Sequence, residues 1–214
     1  ALWSRVQPAS IAGSQAWVLA PEDLAVHLCI HAASQHLFLG GLMVLYDLAG
    51  LFSSPIYAPD ARALVERAQE WHATRATWLC LSLTRDLAGA PVPNGLLEAL
   101  GGSGDEHGQV EAARALLLSG AARNGAMPSG NVIALWASPD WRSQVRRWGH
   151  ILWPDAAHLR GDLGLPADAP VRASHYVARW AHLLTSRRRS LRALLKPTGA
   201  DVRWAGLARW LAEE

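Results

Sequence analysis

Lysine is almost missing from this chain: Lys196 is the only one, and every other basic side chain is arginine. Such a skew follows codon usage and excludes nothing about function. Cysteine is scarce too. Cys29 and Cys80 are the only two, each among apolar neighbours and neither in a CxxC pair. They read as small hydrophobes in helices, and without a secretory signal the setting implied is a reducing cytoplasm. No apolar run reaches the roughly 18 uncharged residues that a membrane span requires, so no membrane partner is expected. A net charge of +2 leaves a nucleic-acid partner undemanded. Several catalytic signatures are also missing. The glycines from Gly101 have no GK[ST] after them and no strand before them, which rules out a phosphate loop. There is no GxSxG elbow, and Ser103 and Ser129 lie in loops without a base nearby.

What is present is a globular composition. Half of the 214 residues are hydrophobic and 18% are charged, enough for one large or two small domains. Residues Gln15 to Leu19 read as a strand, which needs a partner to satisfy its backbone and suggests a sheet whose remainder lies elsewhere. From Pro21 the pattern is helical. Pro21 suits the first helical position, and Glu22 and Asp23 complement the exposed amides of the first turn. Gly40 and Gly41 break the chain before a second helix. A third opens at Pro59–Asp60 and is expected to merge with a long helix near Trp71 to Leu87. Shorter helices are expected at Leu96 to Leu100 and Val110 to Leu118. Small-residue regions at Gly101–Gly104 and Gly120–Gly130 look like breaks between subdomains.

The clearest amphipathic helix has Ser138 as its cap and Trp141, Val145, Trp148 and Leu152 at helical spacing, and it stops at Trp153–Pro154. Two closing helices run near Val171 to Leu184 and Asp201 to Leu211. The class expected is mainly α, an irregular multi-helix bundle with a short N-terminal β segment. Residues 1–20 read as a linker or remnant of an upstream α/β domain. Residues 21–214 read as the helical domain, with a division near 101–130.

The stretch Leu19 to Phe52 carries the most chemistry. Two nearly all-apolar helices hold only a few ionisable groups: Asp23, His27 and His31 on the first, Asp47 on the second. Burying a bare charge costs several kcal/mol, so this pattern predicts a buried contact between an imidazole and Asp47. His27 and His31 are four residues apart and face one direction, as paired metal ligands do. The glutamate of an HExxH motif is absent, since Leu28 stands there. A structural network pinning two helices therefore outweighs a metal site, and no metal ligands are assigned. Most of the eleven tryptophans sit at core-facing spacing, with Trp71 and Trp153 beside turns. The run Ser186 to Arg192 is the one basic cluster and reads as a solvated helix end.

The segments Leu19–Leu24, His27–Leu28 with His31, and Leu45–Ala49 resemble the bacterial uncharacterised nucleotidyltransferase family. There an L-x-P-E-D-L-L-L-H-L-x-x-H helix precedes a W-L-x-D-L helix. The stretch Leu152 to Arg160 looks like that family's F-P-S-x-x-Y-L-R element. On this reading the resemblance runs through nearly the whole chain but reaches only the family's C-terminal portion. It implies a polymerase-β-like catalytic domain whose D-x-D carboxylates hold Mg²⁺ against a nucleoside triphosphate.

No D-x-D occurs in this sequence; Asp60, Asp105 and Asp140 stand alone and look like helix caps. Since the chain opens mid-pattern at Ala1, the expectation is a fragment: the substrate-side helical part of a probable nucleotidyltransferase that holds no cofactor of its own. Its triphosphate and acceptor would be bound together with the missing domain, and His27, His31 and Asp47 are the candidate substrate contacts. The alternative is a non-catalytic helical module that binds a partner protein through an apolar groove. Residual β-structure at Trp17 to Leu19 ending on an unpaired sheet edge would favour the fragment, and a fully helical body with a sealed surface the module.

Overall fold

The structure is a computed structural model describing residues 2–38, 41–101, 107–118, 141–186 and 199–213. It is mainly α-helical with a short two-stranded β segment at the N-terminus. The chain divides into two compact units, Ala1–Ala122 and Arg123–Glu213.

The first unit begins with an antiparallel hairpin, β1 (Gln7–Ile11) and β2 (Ser14–Val18), in which Ala9 pairs with Ala16 and Pro8 with Trp17. Ala12 and Gly13 form the connection, both at positive φ (50° and 82°). Two-residue hairpin turns need that conformation to match the strand twist, and glycine adopts it without steric cost. The strand read from Gln15 to Leu19 therefore finds a partner in the residues just before it. A fully helical body is not what the chain forms.

Helix α1 (Pro21–Cys29) starts with proline at its first position and continues into a π-helical segment, Ile30–Gln35. The π turn closes through the His36 amide to the His31 carbonyl at 3.1 Å. Leu37 and Phe38, both buried and both at positive φ, then reverse the chain. Helix α2 (Met43–Phe52) buries Leu45, Leu48, Leu51 and Phe52 along one face.

Helix α3 (Ala61–Glu70) is capped by Asp60, whose carboxylate accepts from the Ala63 amide at 2.8 Å. It ends at Trp71 and stays separate from α4 (Thr74–Ala88), because His72 turns the chain at positive φ between them. Helix α4 is buried without a break from Ala76 to Thr84, which makes it the central rod of this unit, and Gly89 closes it in the left-handed conformation. Helices α1, α2, α3, α5 (Asn94–Ala99) and α6 (His107–Leu118) pack against it.

The second unit holds α7 (Trp141–Leu152), α8 (Ala156–Leu163), α9 (Ala173–Ser186) and α10 (Gly199–Ala212). Helix α8 was not expected, although its signal is present: Asp155 comes directly after Pro154 and caps the His158 amide at 2.9 Å. The indole of Trp180 donates to the Leu152 carbonyl at 2.8 Å and stacks edge-on against Trp153, joining α9 to the end of α7. Arg179 reaches Asp162 on α8 at 2.7 Å. The Ser138 cap, the glycine breaks at 102–104 and 120–130, Asp105 and Asp140, and the arginines at 187–192 lie outside the described residues. Among the described residues no helix is long and apolar enough to cross a membrane.

Candidate functional site

The first helix does bury an ionisable group, but the group is Asp23, only 1% exposed. Arg5, just ahead of β1, donates to both of its carboxylate oxygens, Nε at 2.8 Å and a terminal nitrogen at 2.9 Å. Arg67 of α3 approaches from the other side, its Nε 2.9 Å from Oδ1 but off line for a hydrogen bond. Arg67 is also ion-paired with Glu70. Asp23 bonding raises the Arg5 guanidinium above its ordinary value. A bidentate arginine–carboxylate pair is among the stronger charge-assisted contacts, and here it ties the N-terminal segment to α1 and α3. Two further bonds hold the same corner. The Glu22 carboxylate accepts from the Asp60 amide at 2.9 Å, and the Tyr57 hydroxyl donates to the Leu19 carbonyl at 2.5 Å. Burial, with the nearby Glu22 charge, pushes the Tyr57 phenol up.

His27, His31 and Asp47 are all exposed, and no hydrogen bond or ion pair joins Asp47 to either imidazole. The buried His–Asp contact predicted from the pattern does not form. The reason is the rotation of two helices. Helix α2 turns its leucines and Phe52 inward, which sends Asp47 outward, while the arginine pair draws Asp23 under α1 and leaves the histidines on the outer side. Asp47 stands on its own helix, apart from any contact with the imidazoles.

The histidines instead gather with one another. The rings of His27 and His31 lie 6.1 Å apart and 18° from parallel. His36, unnoticed in the sequence, meets His31 edge-on at 4.4 Å. A spacing of five residues does not align side chains on an α-helix; the π segment brings His31 and His36 together. His31 Nδ1 is 3.1 Å from Gln35 Oε1. The only signal for His36 in the sequence was a third histidine five residues on.

Beneath this ridge the thiols are inert. Cys29 and Cys80 are fully buried and unbridged, the Cys80 thiol donates to the Cys29 carbonyl at 3.7 Å, and burial together with Cys80 pushes the Cys29 thiol well up. Among the described residues no three or more His, Cys, Asp or Glu side chains converge to hold a metal ion.

Residues 1–89 match the model of a family described as an uncharacterised nucleotidyltransferase. That similarity corrects the sequence reading in extent and in place. The resemblance was expected to run through nearly the whole chain and to represent the family's C-terminal helical portion, with catalysis supplied from outside. The match falls on the N-terminal part, takes in both strands, and ends at Gly89, where α4 is capped. The Leu152 to Arg160 element lies outside it. A chain stripped of its catalytic-type domain, and the description of it as a fragment on that ground, do not stand. No curated protein and no solved structure matches the chain.

Proposed function

We propose that this protein works in nucleotidyl transfer, with residues 1–89 carrying that role, a nucleoside triphosphate and Mg²⁺ as its ligands, and an acceptor molecule as its other partner. The observation behind this reading is the match of that segment to a nucleotidyltransferase family. The exposed ridge of His27 and His31 is suited to phosphate oxygens, because a protonated imidazole offers an N–H donor on each ring nitrogen and both side chains are exposed. The Asp47 carboxylate, exposed on α2, is suited to accept from a hydroxyl of the sugar or of the acceptor. The π segment beneath the ridge supports the assignment, since single π turns recur at functional sites. The place of action is the cytoplasm, where two free thiols stay reduced.

The test is thermal unfolding of the protein with each of the four ribonucleoside triphosphates, with and without Mg²⁺, and then incorporation of labelled nucleotide into candidate acceptors. A ligand at 100 times its dissociation constant adds about 2.7 kcal/mol to stability. One triphosphate should raise the midpoint, and His27→Asn, His31→Asn and Asp47→Asn should each weaken that rise. No response to any triphosphate at millimolar concentration overturns the proposal.

A further inference from the structure

We propose that His27 and His31 form a two-imidazole binding site for a late first-row transition metal of the Zn²⁺, Ni²⁺ or Cu²⁺ class, with Gln35 as its positioning residue. Both side chains are exposed, lie one turn apart on the same ridge, and keep their rings within 18° of parallel at 6.1 Å. Neutral imidazole is the natural donor for these ions, whereas Mg²⁺ favours oxygen.

Gln35, one turn after His31, orients the His31 ring. Its Oε1 faces His31 Nδ1 at 3.1 Å, an arrangement that favours the ring proton on Nδ1 because an amide oxygen accepts. In that tautomer the neutral ring keeps the lone pair on Nε2 of His31 for a ligand. Metal-bound histidines are commonly oriented this way, the second nitrogen donating to a fixed acceptor. His36, edge-on to His31 at 4.4 Å, restricts rotation of that ring without joining the ligand set. The three imidazoles do not converge on one point. The site thus supplies two protein donors and leaves the other coordination positions to water or to an anionic oxygen. It does not depend on the nucleotide reading.

The experiment is calorimetric titration of the protein with ZnCl₂, NiCl₂ and CuSO₄ in the absence of nucleotide, with circular dichroism to verify folding. Saturable one-to-one uptake is expected for at least one ion. His27→Asn and His31→Asn should abolish it, and Gln35→Leu should weaken it by about 10- to 100-fold, the usual consequence of losing an orienting partner. His150→Asn, on α7, should leave it unchanged. Three outcomes overturn the proposal: no saturable uptake of any of the ions, unchanged affinity in either histidine variant, or unchanged affinity in Gln35→Leu. Triphosphate binding without metal uptake would defeat this site and leave the proposed function standing. Metal uptake without any triphosphate response would do the reverse.

Discussion

Removing Asp23 tests the physical account of this fold most directly. Its carboxylate is 1% exposed and faces two guanidinium groups, Arg5 at 25% and Arg67 at 16% side-chain exposure. Asp23→Ala strands Arg5 against α1 and leaves Arg67 with Glu70 as its remaining partner. Breaking a buried pair by deleting one member costs about 3–5 kcal/mol, because the surviving charge stays desolvated. The arginines keep part of their water, so the loss should fall at the low end, about 3 kcal/mol. For a unit of this size each kcal/mol moves the midpoint by roughly 3–5 °C, so a fall of about 9–15 °C is expected in scanning calorimetry. Arg5→Ala should cost less, since Arg67 still faces the carboxylate. Replacing Asp23, Arg5 and Arg67 together by leucine and methionine should recover much of the loss, as apolar substitutes for buried ion pairs commonly do. A midpoint within about 2 °C of the parent for Asp23→Ala would refute the argument that this cluster anchors the N-terminal segment.

Asp47→Ala should change stability by less than about 0.5 kcal/mol in chemical denaturation, because the carboxylate is exposed and makes no bond; a larger loss would restore the buried His–Asp contact. Asp60→Ala should cost about 1 kcal/mol through loss of the α3 cap, and Asp60→Asn should recover most of it. Cys29 and Cys80 should react with a disulfide reagent at pH 8 only as fast as the protein unfolds, burial having raised the Cys29 pKa and kept it a thiol. Backbone and side-chain bonds from His158 hold the Asp155 carboxyl below the usual carboxylate range. A depressed folded-state value contributes stability that is present above the unfolded pKa and is lost as pH falls through the folded one. In an NMR titration the Asp155 carbon should therefore reach its midpoint below pH 3.8, and a midpoint above that would contradict the cap.

Local chemistry was legible in the sequence wherever one residue decides one backbone feature. Pro21 opened α1 and Asp60 capped α3. The mainly α class with a short N-terminal β segment came from periodicity, and the two thiols were rightly placed among apolar neighbours. Helix α8 and the break at His72 were missed, the first for an unread cap and the second because positive φ at a non-glycine residue leaves no compositional mark.

The requirement that an ionisable group on an apolar helix find a partner was a sequence-level statement, and it holds for Asp23. Which group and which partner were decided by packing. Arg5 and Arg67 are distant along the chain, and periodicity assigns no contact between separate elements. The histidine ridge is likewise a tertiary product, because one π turn shifts the register enough to bring His36 against His31. A sequence fixes the period of a helix and the residues that start or stop it. Only the folded chain sets how far each helix is rotated about its axis, and that rotation put Asp23 inside and Asp47 in water.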